Sequence, residues 1–138
     1  MVCWRRSLVS MAARLWAAPA TTLGLMAALA AAVAGARFAL LGGVLEVTLR
    51  PRGPAIALVL RQLPFSAITF GHVVIACSDV DQCTLRPHER VHVGQYERWG
   101  ALLLLAYPLE GLLQWLRGRR PYLDNRFEVE ARKCSPSR

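Results

Sequence analysis

The chain has 138 residues, enough for one small domain and one membrane segment. Hydrophobic residues make up 54% of it, and its mean hydropathy of +0.31 is high for a water-soluble protein and moderate for one with several membrane spans. The formal net charge is +8, but the arginines are spread along the chain and mostly flank apolar runs. We therefore expect anionic lipid headgroups rather than nucleic acid as their partner.

The first predicted element is a long apolar segment, from about residue 15 to residue 41. It exceeds the roughly 20 residues that a helix needs to cross a bilayer, so it is a transmembrane helix or a long signal sequence. We favour a retained anchor, because the segment is longer than the apolar part of a typical signal. Arg5, Arg6 and Arg14 precede it, which predicts a single pass with the N-terminus in the cytoplasm.

Strand-like segments follow the anchor. Residues 44–50 alternate apolar and polar side chains as a half-buried strand does, and residues 55–60 fit either a strand or a short helix. Residues 65–76 are rich in Ile, Val, Thr and Phe and are predicted to form the longest strand, with Gly71 marking a bulge or a close backbone approach.

Cysteine spacing adds one conditional prediction. Cys77 and Cys83 bracket a polar, turn-like segment and could close a short disulfide loop in an oxidising compartment. No C-x-x-C spacing occurs, which argues against a cysteine-based zinc site.

Residues 88–92 form an H-E-x-x-H motif. On a helix, residues four apart lie on one face, so the imidazoles of His88 and His92 can bind one metal ion. Glu89 lies on the same turn, where its carboxylate can take a proton from a water that the metal activates. This pattern indicates part of a catalytic zinc site. The alternative is a surface helix whose histidines and glutamate are simply solvated.

A catalytic zinc site needs a third protein ligand. Asp124 and Asn125 can cap a short helix that carries Glu128 and Glu130, and either glutamate could approach the histidine pair from there. The remaining histidine, His72, lies on the longest predicted strand, whose free edge could pair with an extended peptide. His72 could stabilise an oxyanion there or simply pack.

The segments HERVHVGQYERWG (88–100) and YLDNRFEVEA (122–131) resemble the gluzincin zinc peptidases. In that family, H-E-x-x-H is completed by a glutamate from a later helix with an E-x-x-A pattern. The resemblance implies zinc as the cofactor, Glu89 as the general base, and three ligands: His88, His92 and Glu128, with Glu130 as the fallback. The start L-W-x-x-P-x-T (15–21) also resembles a group of small bacterial membrane proteins.

The predicted fold is α+β. Residues 1–41 form a membrane anchor or signal segment, residues 42–132 a minimal zincin-like domain, and residues 133–138 a disordered tail. The domain would contain a small antiparallel sheet, the motif helix, an apolar backing helix and a short C-terminal helix that carries the ligand glutamate. The motif helix is predicted to begin at Pro87 and to end at Gly100.

The apolar segment 101–117 is predicted to be a helix kinked at Pro108. If it crossed the bilayer, its length of about 26 Å would put Gly118 on the opposite side from His92. Glu128 could then return only through lipid as an extended chain, which unpaired backbone does not tolerate. A zinc site that uses Glu128 and a second spanning helix therefore exclude each other, and we expect a buried or interfacial helix.

Two classes of function follow from these residues. The first is a zinc metallopeptidase anchored in the bacterial inner membrane, which hydrolyses peptide bonds in peptide or protein substrates. The second is a non-catalytic small membrane protein, with a structural or vestigial metal site, that acts through partner or lipid binding. For the first class, Gln95, Tyr96 and Tyr122 are further candidates to support the ligands or an oxyanion; packing is the alternative role.

Overall fold

The computed structural model describes residues 11–50 and 53–135. In chain order these form α1 (Met11–Val33), β1 (Arg37–Leu41), β2 (Val44–Thr48), α2 (Pro54–Arg61), β3 (Ala67–Phe70), β4 (Val73–Ala76), α3 (Asp79–Trp99), a 3-10 turn (Gly100–Leu102), α4 (Leu103–Leu116) and α5 (Arg126–Cys134). The predicted α+β class is confirmed. Arg5, Arg6 and residues 136–138 lie outside the described residues. The predicted disordered tail is wrong for residues 133 and 134, which continue α5.

The four strands form one sheet in the order β1-β2-β4-β3. The outer pairs, β1 with β2 and β3 with β4, are antiparallel, whereas the central pair, β2 with β4, is parallel. The prediction of an antiparallel sheet is therefore wrong for the centre. The reason is that two hairpins lie side by side and join through their second strands, which run in the same direction.

Glycines divide two segments that the sequence pattern treats as continuous. Gly71 has a φ of +58° and, with His72, turns the predicted strand 65–76 into the β3–β4 hairpin. A Cβ atom at Gly71 would lie 2.2 Å from Thr21 Oγ1, so the predicted close approach is confirmed. Gly35, with a φ of 84°, follows α1, and residues 37–41 form β1 instead of continuing the apolar helix.

The sheet lies between α1 and α3. Alternate residues of β4 face opposite sides. Val73 and Ile75 pack against Ala28 and Ala31 of α1, whereas Val74 packs in a cluster with Val93 of α3. This arrangement makes α1 a packed element of the domain.

The motif helix α3 begins eight residues before its predicted start. The Ser78 hydroxyl accepts a hydrogen bond from the Asp81 backbone amide and caps the helix, and Asp79 and Asp81 place negative charge in the first turn. Pro87 lies inside α3, so the prediction that it opens the helix is wrong. The conditional prediction of a Cys77–Cys83 disulfide is also not met, because both residues are thiols.

The apolar segment after α3 becomes α4, which packs against the motif helix as predicted. Leu103 is buried in one cluster with Tyr96 of α3 and Phe127 of α5. The outer face of α4 is exposed.

Candidate metal centre

The side chains of His88, His92 and Glu128 converge between α3 and α5. The Nε2 atoms of the two histidines are 3.1 Å apart. Glu128 Oε2 lies 3.2 Å from His88 Nε2, and Glu128 Oε1 lies 3.2 Å from His92 Nε2. Tetrahedral ligands at zinc–ligand distances of about 2.0–2.1 Å are separated by about 3.3 Å, close to the separations of the two imidazole nitrogens from each other and of each from a Glu128 oxygen.

Local structure explains why Glu128 reaches the histidines. The Asn125 side chain accepts a hydrogen bond from the Phe127 amide, which caps α5, and its Nδ2 donates to the Tyr107 carbonyl oxygen of α4. Phe127 is buried between Trp99 and Tyr107. The cap and this aromatic contact fix the first turn of α5, which carries Glu128, against α3 and α4.

Gln95 determines which nitrogen of His92 is free to bind a metal. Its Nε2 donates to two acceptors, the Phe127 carbonyl oxygen at 2.9 Å and Glu130 Oε2 at 2.8 Å. Its Oε1 must therefore face His92 Nδ1, 2.9 Å away, and that nitrogen must donate. In the neutral imidazole the lone pair is then on Nε2, the atom that points at the other ligands. The prediction that Gln95 supports the site agrees with this geometry.

Glu128 is held as an anion. Tyr107 donates a hydrogen bond of 2.6 Å to Glu128 Oε1, while Oε2 is buried with His88 Nε2 3.2 Å away. Burial raises the pKa of Glu128, but hydrogen bonds from the two histidines and Tyr107 outweigh burial and hold that pKa well below its usual range. A buried carboxylate whose two oxygens each lie beside one imidazole nitrogen fits a cation ligand.

The same carboxylates affect His92. Burial lowers the pKa of His92, but hydrogen bonding to Glu128 and the charge of Glu89 raise it above its ordinary value. Protons and a metal ion therefore compete for this cluster.

Glu89, the predicted base, is buried and shares a cavity of about 1250 Å³ with the three candidate ligands. Its Oε2 accepts a hydrogen bond of 2.7 Å from the Thr69 hydroxyl on β3. Thr69 and Tyr107 were both missed from the sequence. A hydroxyl within the largely apolar segment 101–117 was a signal for Tyr107, whereas a threonine in a β-branched strand gave none.

The cavity extends along β3, an outer strand of the sheet, and beneath α4. Tyr96 and Tyr122, both candidates from the sequence, line it. Burial raises the pKa of Tyr96 to about 12, and burial together with the Glu128 carboxylate raises the pKa of Tyr122 to about 12. Most of the remaining wall is apolar and includes Leu63, Phe65, Ile68, Phe70, Leu104 and Pro108.

Two predicted residues lie elsewhere. His72 Nε2 is 3.0 Å from Glu97 Oε1, and the His72 backbone amide donates to the Thr21 hydroxyl, so His72 joins α1, α3 and the hairpin instead of facing the cavity. Glu130, the fallback ligand, accepts hydrogen bonds from Gln95 and Arg98 and is not in the ligand cluster. The carboxylate in the ligand cluster is that of Glu128.

No protein-family model matches the chain, and no curated protein or solved structure was found to be similar to it. The resemblance to gluzincins therefore stays a prediction that rests on the motif residues.

Proposed function

We propose that the protein is a zinc-dependent peptidase of the gluzincin type, with His88, His92 and Glu128 as ligands and Glu89 as general base. The observation that carries the proposal is the shared cavity, in which three converging ligand atoms and a buried carboxylate lie together. A purely structural metal site would not need Glu89 buried beside it and oriented by Thr69.

When bound, zinc would supply a Lewis acid that lowers the pKa of a water molecule and polarises a substrate carbonyl. Glu89 would take the proton at its carboxylate and then deliver it to the leaving amine nitrogen. The Thr69 hydroxyl would keep this carboxylate in one orientation. Tyr122, protonated at neutral pH, would be a donor for the oxygen on which negative charge develops.

Peptides are the substrate class that suits the cavity wall. Residues 66–70, most of which belong to β3, line the cavity, and the outer edge of β3 has no paired strand among the described residues. An extended peptide can add to such an edge through backbone hydrogen bonds, and the apolar wall can take its side chains.

Zinc content tests the ligand assignment. The purified protein should hold one equivalent of zinc by elemental analysis, and Glu128→Gln should lose it. Glu130→Gln is the matched control, two residues away on the same helix, and should keep its zinc. Metal-free wild-type protein, or zinc lost from the control alone, would reject this ligand set.

Catalysis needs its own test, because a metal can be bound without chemistry. Glu89→Gln should retain zinc and lose peptide hydrolysis by at least about a hundredfold. If zinc is bound and wild-type and Glu89→Gln protein hydrolyse a peptide library equally, including not at all, the non-catalytic alternative replaces the peptidase.

Membrane attachment through α1 is part of the proposal. Among the described residues, α1 is the helix long and apolar enough to cross a membrane, by length and composition only. The sequence predicts a single pass through the bacterial inner membrane with a cytoplasmic N-terminus. The packing of α1 against the sheet determines whether a single pass is possible.

A further inference from the structure

The two faces of α1 differ in side-chain size. The face against the domain is a row of small buried residues: Ala17, Ala20, Gly24, Ala28 and Ala31. The other face exposes large apolar side chains, among them Leu15 (69%), Met26 (64%), Leu29 (70%) and Val33 (86%). Helices at the surface of water-soluble domains carry polar residues on the exposed face. The exposed face of α1 is instead apolar, so it is suited to lipid rather than to water.

A second apolar stripe runs along α4. Leucines at three- and four-residue spacing are all exposed: Leu102, Leu105, Leu109, Leu112 and Leu116. Arginines follow at positions 117, 119 and 120, where their side chains can reach anionic headgroups. The stripe begins near α1, because Trp16 packs directly on Gly100, two residues before Leu102.

The packing of α1 argues against a crossing. Its packed stretch, from Ala17 to Ala31, is about 21 Å long, most of the roughly 30 Å of a hydrocarbon core. The strands packed beside that stretch would then lie in lipid, and with them the edge of β1, which pairs with no further strand in the part of the chain that the structure describes; hydrocarbon does not tolerate such an edge.

Ionisable side chains beside α1 also argue against a membrane crossing by this helix. Thr21, near the middle of α1, is hydrogen-bonded to His72, which pairs with Glu97. A crossing would put His72 and Glu97 close to the bilayer centre, where ionisable side chains are costly.

We propose that the protein is monotopic: α1 lies in the plane of one membrane face, and the exposed stripes of α1 and α4 insert into the acyl boundary of a bilayer with anionic headgroups. The partner of both stripes is lipid, and the two ends of α1 stay on the same side of the membrane. This proposal does not depend on the metal centre.

Sidedness decides between a crossing and an in-plane helix. Ala12 and Ala34, exposed at the two ends of α1, are each replaced by cysteine in a variant whose native cysteines are serine. Intact spheroplasts are treated with a membrane-impermeant maleimide, before and after permeabilisation. Cysteines at both positions should be labelled to the same extent before permeabilisation, and to the same extent after it. Reaction at one end only, with the other end reacting after permeabilisation, would show that α1 crosses and would overturn the proposal.

Vesicle binding tests the second stripe. Protein without detergent should float with vesicles of equal parts phosphatidylcholine and phosphatidylglycerol. The double variant Leu105→Glu, Leu112→Glu should bind them about tenfold more weakly, because two apolar side chains no longer enter lipid. Val80→Glu, at an even more exposed apolar position on α3, should bind as wild type does.

Other occupants of the stripes give distinct results. Equal vesicle binding by wild type and the double variant, with circular dichroism showing both folded, would contradict the proposed contact between α4 and lipid. A stable dimer in sedimentation that excludes vesicles would identify a second copy of the chain as the occupant and overturn the proposal.

Discussion

Gln95 is fully buried and joins three groups: His92, the backbone of Phe127 and Glu130. We expect Gln95→Leu to lower zinc affinity about 10- to 100-fold, because His92 loses the acceptor that fixes its tautomer. Gln95→Glu keeps that acceptor and should recover part of the affinity. Competition with a chromogenic chelator measures both variants, and unchanged affinity in Gln95→Leu would contradict the proposed role.

Glu46 stabilises the sheet against α3. Its side chain is 2% exposed and accepts a two-pronged hydrogen bond from Arg86, both at 2.9 Å, and a third from Arg90 at 3.0 Å. Burial raises the pKa of Glu46, but the two arginines outweigh burial and lower it. We expect Glu46→Gln to reduce the free energy of unfolding at pH 7 by about 2 kcal/mol, since charged hydrogen bonds are lost.

The contribution of Glu46 should depend on pH. A depressed folded-state pKa stabilises the fold above the unfolded-state pKa of about 4.3, and this stabilisation disappears as pH falls through the folded-state value. Urea unfolding of wild type and Glu46→Gln should therefore differ at pH 7 and converge in acid. A difference that grows on acidification would contradict the assignment.

Site residues close together on one helix could be predicted, and those brought together by tertiary packing could not. His88, Glu89 and His92 lie within five consecutive residues of α3, so their spacing alone places them close together on the helix. Thr69 and Tyr107 reach the site from β3 and α4, and their roles depend on how those elements dock.

At the scale of elements, the docking of α1 depends on Gly24. A Cβ atom there would lie 2.7 Å from Val73 Cβ and 2.9 Å from the Phe70 carbonyl oxygen. Gly24→Ala should lower the free energy of unfolding by about 1–3 kcal/mol, although alanine favours the helix itself by about 1 kcal/mol. Thr22→Ala, on the exposed face, should be close to neutral. Denaturant unfolding followed by circular dichroism measures both, and a stabilised Gly24→Ala would show that α1 is not docked this way.

Element types were more predictable than their limits. The α5 cap at Asn125 and strand β2 follow from local sequence, and the structure contains both. The start of α3 was wrong because the Ser78 cap, with its acidic first turn, prevails over one missing backbone donor at Pro87. The β3–β4 hairpin was missed because a β-branched run masks the turn at Gly71.

At the scale of the whole molecule, the candidate ligands join α3 to α5, two elements that are far apart in the chain. Metal bound there should stabilise the fold, by about 2.7 kcal/mol at a free zinc concentration a hundred times Kd. The melting temperature of wild type should rise with added zinc, whereas that of Glu128→Gln should not. Hydrogen exchange should quicken first in α5 on chelation, and uniform quickening would argue against a local role.

The two sides of α4 make different contacts, and Tyr107 lies on the side that faces the candidate metal centre. Its hydroxyl binds Glu128 on the inner side, while the leucine stripe occupies the outer side of the same helix. If lipid contacts the leucine stripe as proposed and shifts α4, the Tyr107 hydroxyl would shift with the helix, and so would the Glu128 carboxylate that it binds. Such coupling is reciprocal: the factor by which lipid raises zinc affinity must equal the factor by which zinc raises lipid affinity. If both proposals hold, the zinc affinity of the protein would depend on whether α4 is bound to lipid.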